Sequence, residues 1–516
     1  MNGAKILVET LLKNGIDTCF ANPGTSEMHF VAALDQVPGM KCVLGLHENV
    51  VTGMADGYFR IAGKPACTLL HCGPGLANGL ANIHNAKRAR SGMLNIVGDQ
   101  ATYHRPLDAP LTADTEALAR TMSAWTRTCT DVAQLGQEAA VAAQVARNGV
   151  GQIATLILPS DVSWNEGGEV GPVAPVVPTP LVVPSNIESL AVLLESGETT
   201  LLLLSGAALT EQGQDLLRPL MERFGVSVMA EYPIGKIARG GTRLAIPRMP
   251  YSIADASAVI GRFRHLVLVN AEDPIAFFAY PGKPSRLAPE GTEIHHFSRP
   301  HQDCISALKA LLGRLGLQPQ QAPSAAPRPA AGEYRGRPTP EALATSIAAL
   351  IPEGAIVSDE SVSFGRGFYK NTFNAPPHDW LHLAGGAIGD GLPVATGAAI
   401  AAGGRRRVIS VQADGSAMYS IQSLWTQARE RLPCTTILLN NRKYQILLGE
   451  YAGVGATPGP TAMSMLDLSN PTLDFVKLAN GMGVEAARAT TMEECEDLMR
   501  MSFAQDGPFL IELMID

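Results

Sequence analysis

Val408-Ile409-Ser410-Val411-Gln412-Ala413-Asp414-Gly415-Ser416 is the stretch from which the rest of the chain is read. Val408–Val411 has the composition of a buried strand, and a helix-like segment follows the polar turn and runs through Arg429. A second apolar strand, Thr435–Leu439, then ends in Asn440-Asn441. Strand, helix and strand in this order predict a parallel crossover, and parallel sheets bind ligands beyond the carboxyl ends of their strands. Two neighbouring strand ends therefore offer a carboxylate and a side-chain amide. A hard cation such as Mg2+ takes oxygen ligands in an octahedron shared with phosphate oxygens, which one carboxylate, one amide oxygen and one backbone carbonyl would supply. Gly415 permits close approach of a phosphate, and Ser416 can donate to it from a helix start. Taken singly, each motif is an ordinary polar turn; together they describe a diphosphate site with its metal.

Outward from this unit, the same alternation of short apolar strands with helix-length segments recurs, as in Ala66–Leu70, Leu94–Val97 and Thr155–Leu158, or Leu201–Leu204 and Leu266–Val269. The pattern predicts an α/β protein of doubly wound parallel sheets. Proline-rich stretches break it twice, at Asn165 to Ser185 and at Leu317 to Pro340, the latter with Pro319, Pro323, Pro327 and Pro329. Read as linkers, they leave three domains, at 1–165, 186–316 and 335–516, a number that suits 516 residues.

Composition excludes several function classes. Forty basic against 48 acidic residues, with no long basic run, lacks the footprint of a nucleic-acid binder. Arg405-Arg406-Arg407 reads as a solvated turn. No apolar run reaches membrane-spanning length, and Met1 to Leu12 resembles an amphipathic helix rather than a signal peptide, so a cytoplasmic protein is expected. The eight cysteines form no CxxC pair and read as reduced core thiols.

Three further loops follow strand-like segments. Cys42–Leu46 leads through His47-Glu48-Asn49 into a helix, Val50–Arg60, where a glutamate would ordinarily stabilise the helix dipole. Cys67–Leu70 runs into His71-Cys72-Gly73-Pro74-Gly75-Leu76-Ala77-Asn78-Gly79, whose GxGxxxG spacing departs from a dinucleotide loop and which lacks the Lys-Ser/Thr of a P-loop. Ala384 to Pro393 is a glycine-rich turn before a helix of small residues.

The combination of Asp414-Gly415 with Asn440-Asn441, 24 residues intervening, resembles the GDG…NN signature of thiamine-diphosphate enzymes, with Ala413 in place of the first glycine. The resemblance spans essentially the whole chain and is strongest to the acetolactate synthase and benzoylformate decarboxylase group. It implies pyrimidine-binding, central and diphosphate-binding domains in that order. Asp414, Asn441 and the carbonyl of Lys443 would hold Mg2+, and Gly415, Ser416, Ser363 and Tyr444 would line the diphosphate. Glu48 matches the glutamate that hydrogen-bonds the aminopyrimidine and so activates the cofactor. Pro23, Gly24 and Thr25 of Asn22-Pro23-Gly24-Thr25 would line pyrimidine and substrate, together with Asn78 of the GPG…N loop. Gly386 belongs to the loop that bonds the pyrimidine, and Ile388 would wedge the cofactor into its bent form. His71 stands where benzoylformate decarboxylase-like members place a histidine, whereas Phe277, Phe278 and Tyr280 occupy a stretch where such relatives offer a second one. Core packing is the plain alternative for these aromatics.

The resemblance further implies a 2-oxo acid substrate and a homodimer or homotetramer with its sites between subunits. FAD is not expected, because Glu231–Tyr251 shows no flavin loop. Decarboxylation followed by carboligation, as in an acetolactate synthase-like transferase, is the leading expectation. The alternatives are a non-ligating decarboxylase (a lyase) and a catalytically silent cofactor-binding subunit.

Overall fold

The computed structural model describes residues 1–321 and 324–515; Pro323 of the second proline-rich stretch and the final Asp516 lie outside the described residues. Three sheets organise the described residues. The first has six strands, all parallel, in the order Lys41–Leu44, Thr18–Ala21, Ala66–Leu70, Met93–Asp99, Ile153–Pro159, Trp125–Thr128. Its central strands are buried along their whole length, the burial that helices on both faces impose. The second is a four-stranded parallel sheet, Glu293–Ser298, His265–Val269, Thr200–Leu204, Ser227–Ala230.

The third sheet has seven strands: Glu485–Ala489, Phe509–Met514, Cys434–Asn440, Val408–Ala413, Ile356–Glu360, His378–His382 and Lys236–Arg239. The last is antiparallel to His378–His382 and comes from the middle of the chain, so the middle block is stitched to the last by a sheet edge as well as by packing. Buried Arg239 fixes that junction: its guanidinium lies over Tyr369, Phe373 and Trp380 and donates to the Tyr369 carbonyl.

Both large sheets reverse their winding beside the first strand of their own block, and again at the far edge. In the first, chain order runs from Thr18–Ala21 outward to Lys41–Leu44 and then to Ala66–Leu70 on the other side. In the third, it runs from Ile356–Glu360 to His378–His382 and then back across to Val408–Ala413. Loops leaving the two strands at such a reversal splay apart and open a crevice. The sequence places Asn22–Thr25 and His71 at the first crevice, and Ser361–Ser363 and Asp414 at the second.

The first and last blocks meet helix to helix. Glu48–Ala62 lies on Gly391–Ala401 so closely that a methyl on Gly57 would sit 2.1 Å from the Val394 carbonyl oxygen, and one on Gly397 would sit 1.9 Å from that of Met54. Only glycine allows these backbones to touch. Buried Arg60 seals the contact, donating from Nε to Asp56 at 2.8 Å and from Nη1 to the His382 carbonyl at 2.7 Å, with Asp390 at 3.8 Å.

Three expectations need correction. Cys42 is exposed, whereas the other seven cysteines are buried; all eight are free. The arginine triplet is not a merely solvated turn: Arg406 donates to the carbonyls of Gly354 and Ala355 and to Asp379, and Arg407 to those of Phe503, Gln505 and Gly507. These guanidiniums satisfy carbonyls that loops leave open. The glycine-rich turn is shorter than its sequence suggests, because Gly391 to Pro393 form the first turn of the helix. No helix among the described residues is long and apolar enough to cross a membrane.

Candidate active site

Val408–Ala413 carries Asp414 to the carboxyl edge of the third sheet, where it begins a short helix, Asp414–Ala417. Its carboxylate accepts the backbone N–H of Gly415 at 2.7 Å on Oδ1, and those of Asn441 and Arg442 at 3.1 and 2.7 Å on Oδ2. Burial pushes its pKa up, and these amides pull it back toward the charged form. Asn441 turns Oδ1 to the Lys443 N–H at 3.1 Å, and the Lys443 carbonyl accepts the Gln445 N–H at 3.0 Å. Asp414 Oδ1, Asn441 Oδ1 and the Lys443 carbonyl oxygen each accept one N–H and keep a lone pair, whereas Asp414 Oδ2 accepts two. Asp414, Asn441 and Lys443 share one cavity of about 260 Å³ with Ser363, Ile388, Gly415, Ser416 and Tyr444. An all-oxygen donor set on a cavity floored by a helix start fits a hard divalent cation and the diphosphate it would accompany. Gly415 is needed here, since a methyl on it would lie 2.5 Å from the Tyr444 ring.

Glu360, three residues before Ser363 and given no role from sequence, organises the adjoining loop. It is buried and accepts the N–H groups of Gly389, Asp390 and Gly391 at 2.7, 3.3 and 2.9 Å, and Gln412 Nε2 at 2.7 Å. Burial raises its pKa, and the four donors oppose the rise. With those amides fixed, Ile388 projects between two cavities.

The second cavity, about 320 Å³, shares Ser361, Val362, Ile388, Ile446 and Leu447 with the first. The middle block closes it with Tyr232, Arg248, Tyr251, Phe277 and Phe278. Phe277 and Phe278 are therefore not core: they are 43% and 57% exposed, and a methyl on Gly386 would lie 2.4 Å from the Phe277 ring. His382, the one histidine lining this cavity, is buried, and its Nδ1 takes a hydrogen bond from Arg248 at 2.6 Å. Burial, aided by the charges of Arg248, Arg239 and Arg60, holds its pKa far below the usual range, so it stays neutral. Tyr280 reaches instead to Glu450, at 2.5 Å, beside Tyr251 at 3.3 Å.

In the first block, Glu48 begins the helix Glu48–Ala62 and is buried. Asn78 donates to its Oε2 at 3.0 Å, which places two residues singled out from sequence in contact. Gly75 leaves room beside Oε1, which a methyl there would approach to 3.1 Å. His71 is oriented by Glu27, whose Oε2 lies 3.0 Å from Nδ1, and Ser26 Oγ lies 3.1 Å from the same nitrogen. Glu27 also accepts the Gly24 N–H at 2.7 Å and the Ser26 hydroxyl. Gly24 cannot carry a side chain, since its methyl would meet the His71 ring at 2.2 Å. Neighbouring Cys72 has its thiol pushed up to about 11 by burial, so it is no nucleophile at neutral pH. Pro23 and Thr25 are exposed on this loop.

The sequence-derived residues thus form two groups. Pro23, Gly24, Thr25, Glu48, His71 and Asn78 belong to the first crevice; Ser363, Gly386, Ile388, Asp414, Gly415, Ser416, Asn441, Lys443 and Tyr444 belong to the second. Neither cavity of the second group is lined by a residue of the first. Sequence reading missed Glu27 and Glu360; the one available signal was a carboxylate within three residues of Thr25 or Ser363, each singled out for the site.

Two family profiles match the chain: "Thiamine pyrophosphate enzyme, N-terminal TPP binding domain" over residues 1–122, and "Thiamine pyrophosphate enzyme, C-terminal TPP binding domain" over residues 367–513. The chain is 47% identical over 522 residues to IlvX of Mycobacterium tuberculosis, whose own designation as an acetolactate synthase large subunit is provisional; the match covers 100% of this chain and 99% of that one. It is 30% identical to benzoylformate decarboxylase of Pseudomonas aeruginosa, over 98% of this chain and 97% of the relative. Among solved structures, the thiamine diphosphate-dependent 4-hydroxybenzoylformate decarboxylase of Rhodococcus jostii superposes with a TM-score of 0.86 at 25% identity, covering 100% of this chain and 99% of that one. The two crevices, the profiles that match each of them and these full-length relatives make this chain a member of the thiamine diphosphate-dependent enzyme family.

Proposed function

We propose that the chain decarboxylates a 2-oxo acid and transfers the remaining acyl unit to a second carbonyl compound, as an acetolactate synthase-like carboligase. Asp414, Asn441 and the Lys443 carbonyl would hold Mg2+, and Ser363, Gly415, Ser416 and Tyr444 would surround the diphosphate. When bound, thiamine diphosphate supplies the nucleophilic carbon that adds to the ketone and the ring that takes up the electron pair as CO2 leaves. Glu48 holds a proton at the aminopyrimidine nitrogen from a buried position, one oxygen fixed by Asn78 and the other free to exchange it. Ile388, which lines both cavities, would pack against the cofactor, and Pro23, Gly24, Thr25 and Gly386 would line its pyrimidine. Since the two groups of residues line separate spaces in one chain, the working unit is a homodimer in which the first crevice of one subunit faces the second crevice of its partner.

The observation that carries carboligation is the wall beyond Ile388. It is aromatic, and its one histidine is neutral, buried and already bonded to Arg248. With no histidine free to donate from this wall, and with its carboxyl groups Asp359, Glu360 and Glu450 all engaged in hydrogen bonds, the acyl unit stays unprotonated long enough to meet an acceptor. The Glu27–His71 pair favours a second reading, a simple decarboxylase, because it provides an oriented proton donor on the opposite loop. Incubation with pyruvate and with benzoylformate, following CO2 and product together, separates them. A hydroxyketone or acetohydroxy acid supports transfer, aldehyde alone supports the second reading, and no CO2 from any 2-oxo acid refutes both.

A further inference from the structure

A cluster remote from both crevices lies at the amino ends of two central-sheet strands. His265 opens the strand His265–Val269, and Glu293 opens the edge strand Glu293–Ser298. The parallel register sets His265 opposite Glu293 and Val267 opposite His295, so His265, Glu293 and His295 project from one face of the sheet. His265 Nδ1 is 3.1 Å from His295 Nε2 and 3.7 Å from Glu293 Oε2, and the three atoms lie within 4.8 Å of one another. Ligand atoms about 2.0–2.1 Å from a tetrahedral zinc ion stand about 3.3 Å apart, close to these separations.

A fourth side chain sets the chemistry. Glu198 Oε2 lies 2.5 Å from His265 Nε2, and its other oxygen is 3.1 Å from Arg264 Nη1. A carboxylate only accepts, so Nε2 carries the proton and the Nδ1 lone pair faces His295 and Glu293. This is the carboxylate–histidine arrangement that orients metal-bound imidazoles. Arg264 approaches Glu293 through Oε1, at 3.5 Å, which leaves Oε2 for the cluster. His265 is buried, while the Glu293 side chain is 53% exposed, so one side of the cluster is open to a hydrated ion.

We propose that His265 Nδ1, His295 Nε2 and Glu293 Oε2 bind a first-row divalent cation of the zinc type, with water completing the tetrahedron. Two imidazoles and one carboxylate suit such an ion better than Mg2+ or Ca2+. The ion ties the edge strand Glu293–Ser298 to its neighbour, independently of the reaction at the crevices.

The full chain, stripped with chelator and free of thiamine diphosphate, is titrated with Zn2+ and with Co2+. The expected result is one tightly bound ion per chain, a higher thermal midpoint with Zn2+, and visible Co2+ bands of a tetrahedral site. His295→Ala and Glu293→Gln should each weaken binding by at least about ten-fold and abolish the thermal shift. Glu293→Gln alters an exposed side chain conservatively and serves if His295→Ala fails to fold. Equal, weak binding by wild type and Glu293→Gln would show a cluster held by hydrogen bonds alone and overturn the assignment. So would a Co2+ spectrum with thiolate charge transfer that Glu293→Gln leaves intact, since that puts the ion at Glu27, His71 and Cys72.

Discussion

In the last block Asp414 and Glu360 are held chiefly by backbone amides; in the first, Glu48 and His71 are held by side chains. Asp414 and Glu360 each take three main-chain N–H groups. Glu48 is held by Asn78, and His71 by Glu27. Both crevices arise from the same strand reversal, so topology does not explain the difference. Amides contributed by the chain itself fix a carboxylate in one place and saturate most of its lone pairs, which suits a permanent seat for a cation and diphosphate. Side-chain partners leave an oxygen or a nitrogen free and let a proton move, which suits acid–base work. On the proposed function, this division assigns binding to the second crevice and proton transfer to the first.

The largest effect that could break this division is on cofactor binding. Asp414→Ala should weaken Mg2+-dependent thiamine diphosphate binding by at least about 100-fold, whereas Glu48→Gln should change it by less than about ten-fold, both by calorimetry. The reverse order would mean that binding resides in the first crevice. Mixing the two inactive variants sharpens the same point. If each site joins the first crevice of one subunit to the second of its partner, random mixed dimers should recover about a quarter of wild-type activity. Sites contained within one chain would recover none.

Stability offers the next contrast. Glu360→Ala strands three buried amides and Gln412, and denaturant unfolding should show a loss of about 3–5 kcal/mol. A loss below about 1 kcal/mol would mean that the loop holds itself without Glu360.

A smaller effect follows from the Glu360 pKa, which burial raises. Between the ordinary carboxylate value and the raised one, the folded chain keeps a proton that the unfolded chain has lost. Its stability contribution is therefore greatest below the unfolded pKa and declines as pH rises to the folded pKa. The slope should not exceed about 1.4 kcal/mol per pH unit, and Glu360→Gln should remove it. A wild-type slope of opposite sign, equally removed by the glutamine, would show that the four donors outweigh burial.

What could be read from the sequence follows the same physics. Asp414, Asn441 and Glu48 were legible because each sits at a strand end or helix start whose position is set by a local hydrophobic pattern, and strand–helix–strand units keep such spacings narrow. The α/β class was legible for the same reason. Glu360 was not, because its donors lie about 30 residues away across a loop whose glycines read only as a turn. Glu27 was missed for a similar reason: its partner His71 is 44 residues distant and reaches it only because the two loops share a strand reversal. Lys236–Arg239 is a short strand that only its pairing with His378–His382 defines. The cavity role of Phe277 and Phe278 depended on that junction, and no periodicity distinguishes an aromatic lining a cavity from one filling a core.

The central claim is that Glu48 moves a proton on the cofactor that the second crevice binds. It is tested most directly by deuterium exchange at C2 of thiamine diphosphate bound to wild type and to Glu48→Gln. The account predicts that exchange slows by at least about 100-fold in the variant while the cofactor stays bound. Exchange at the wild-type rate with the cofactor fully bound would contradict it.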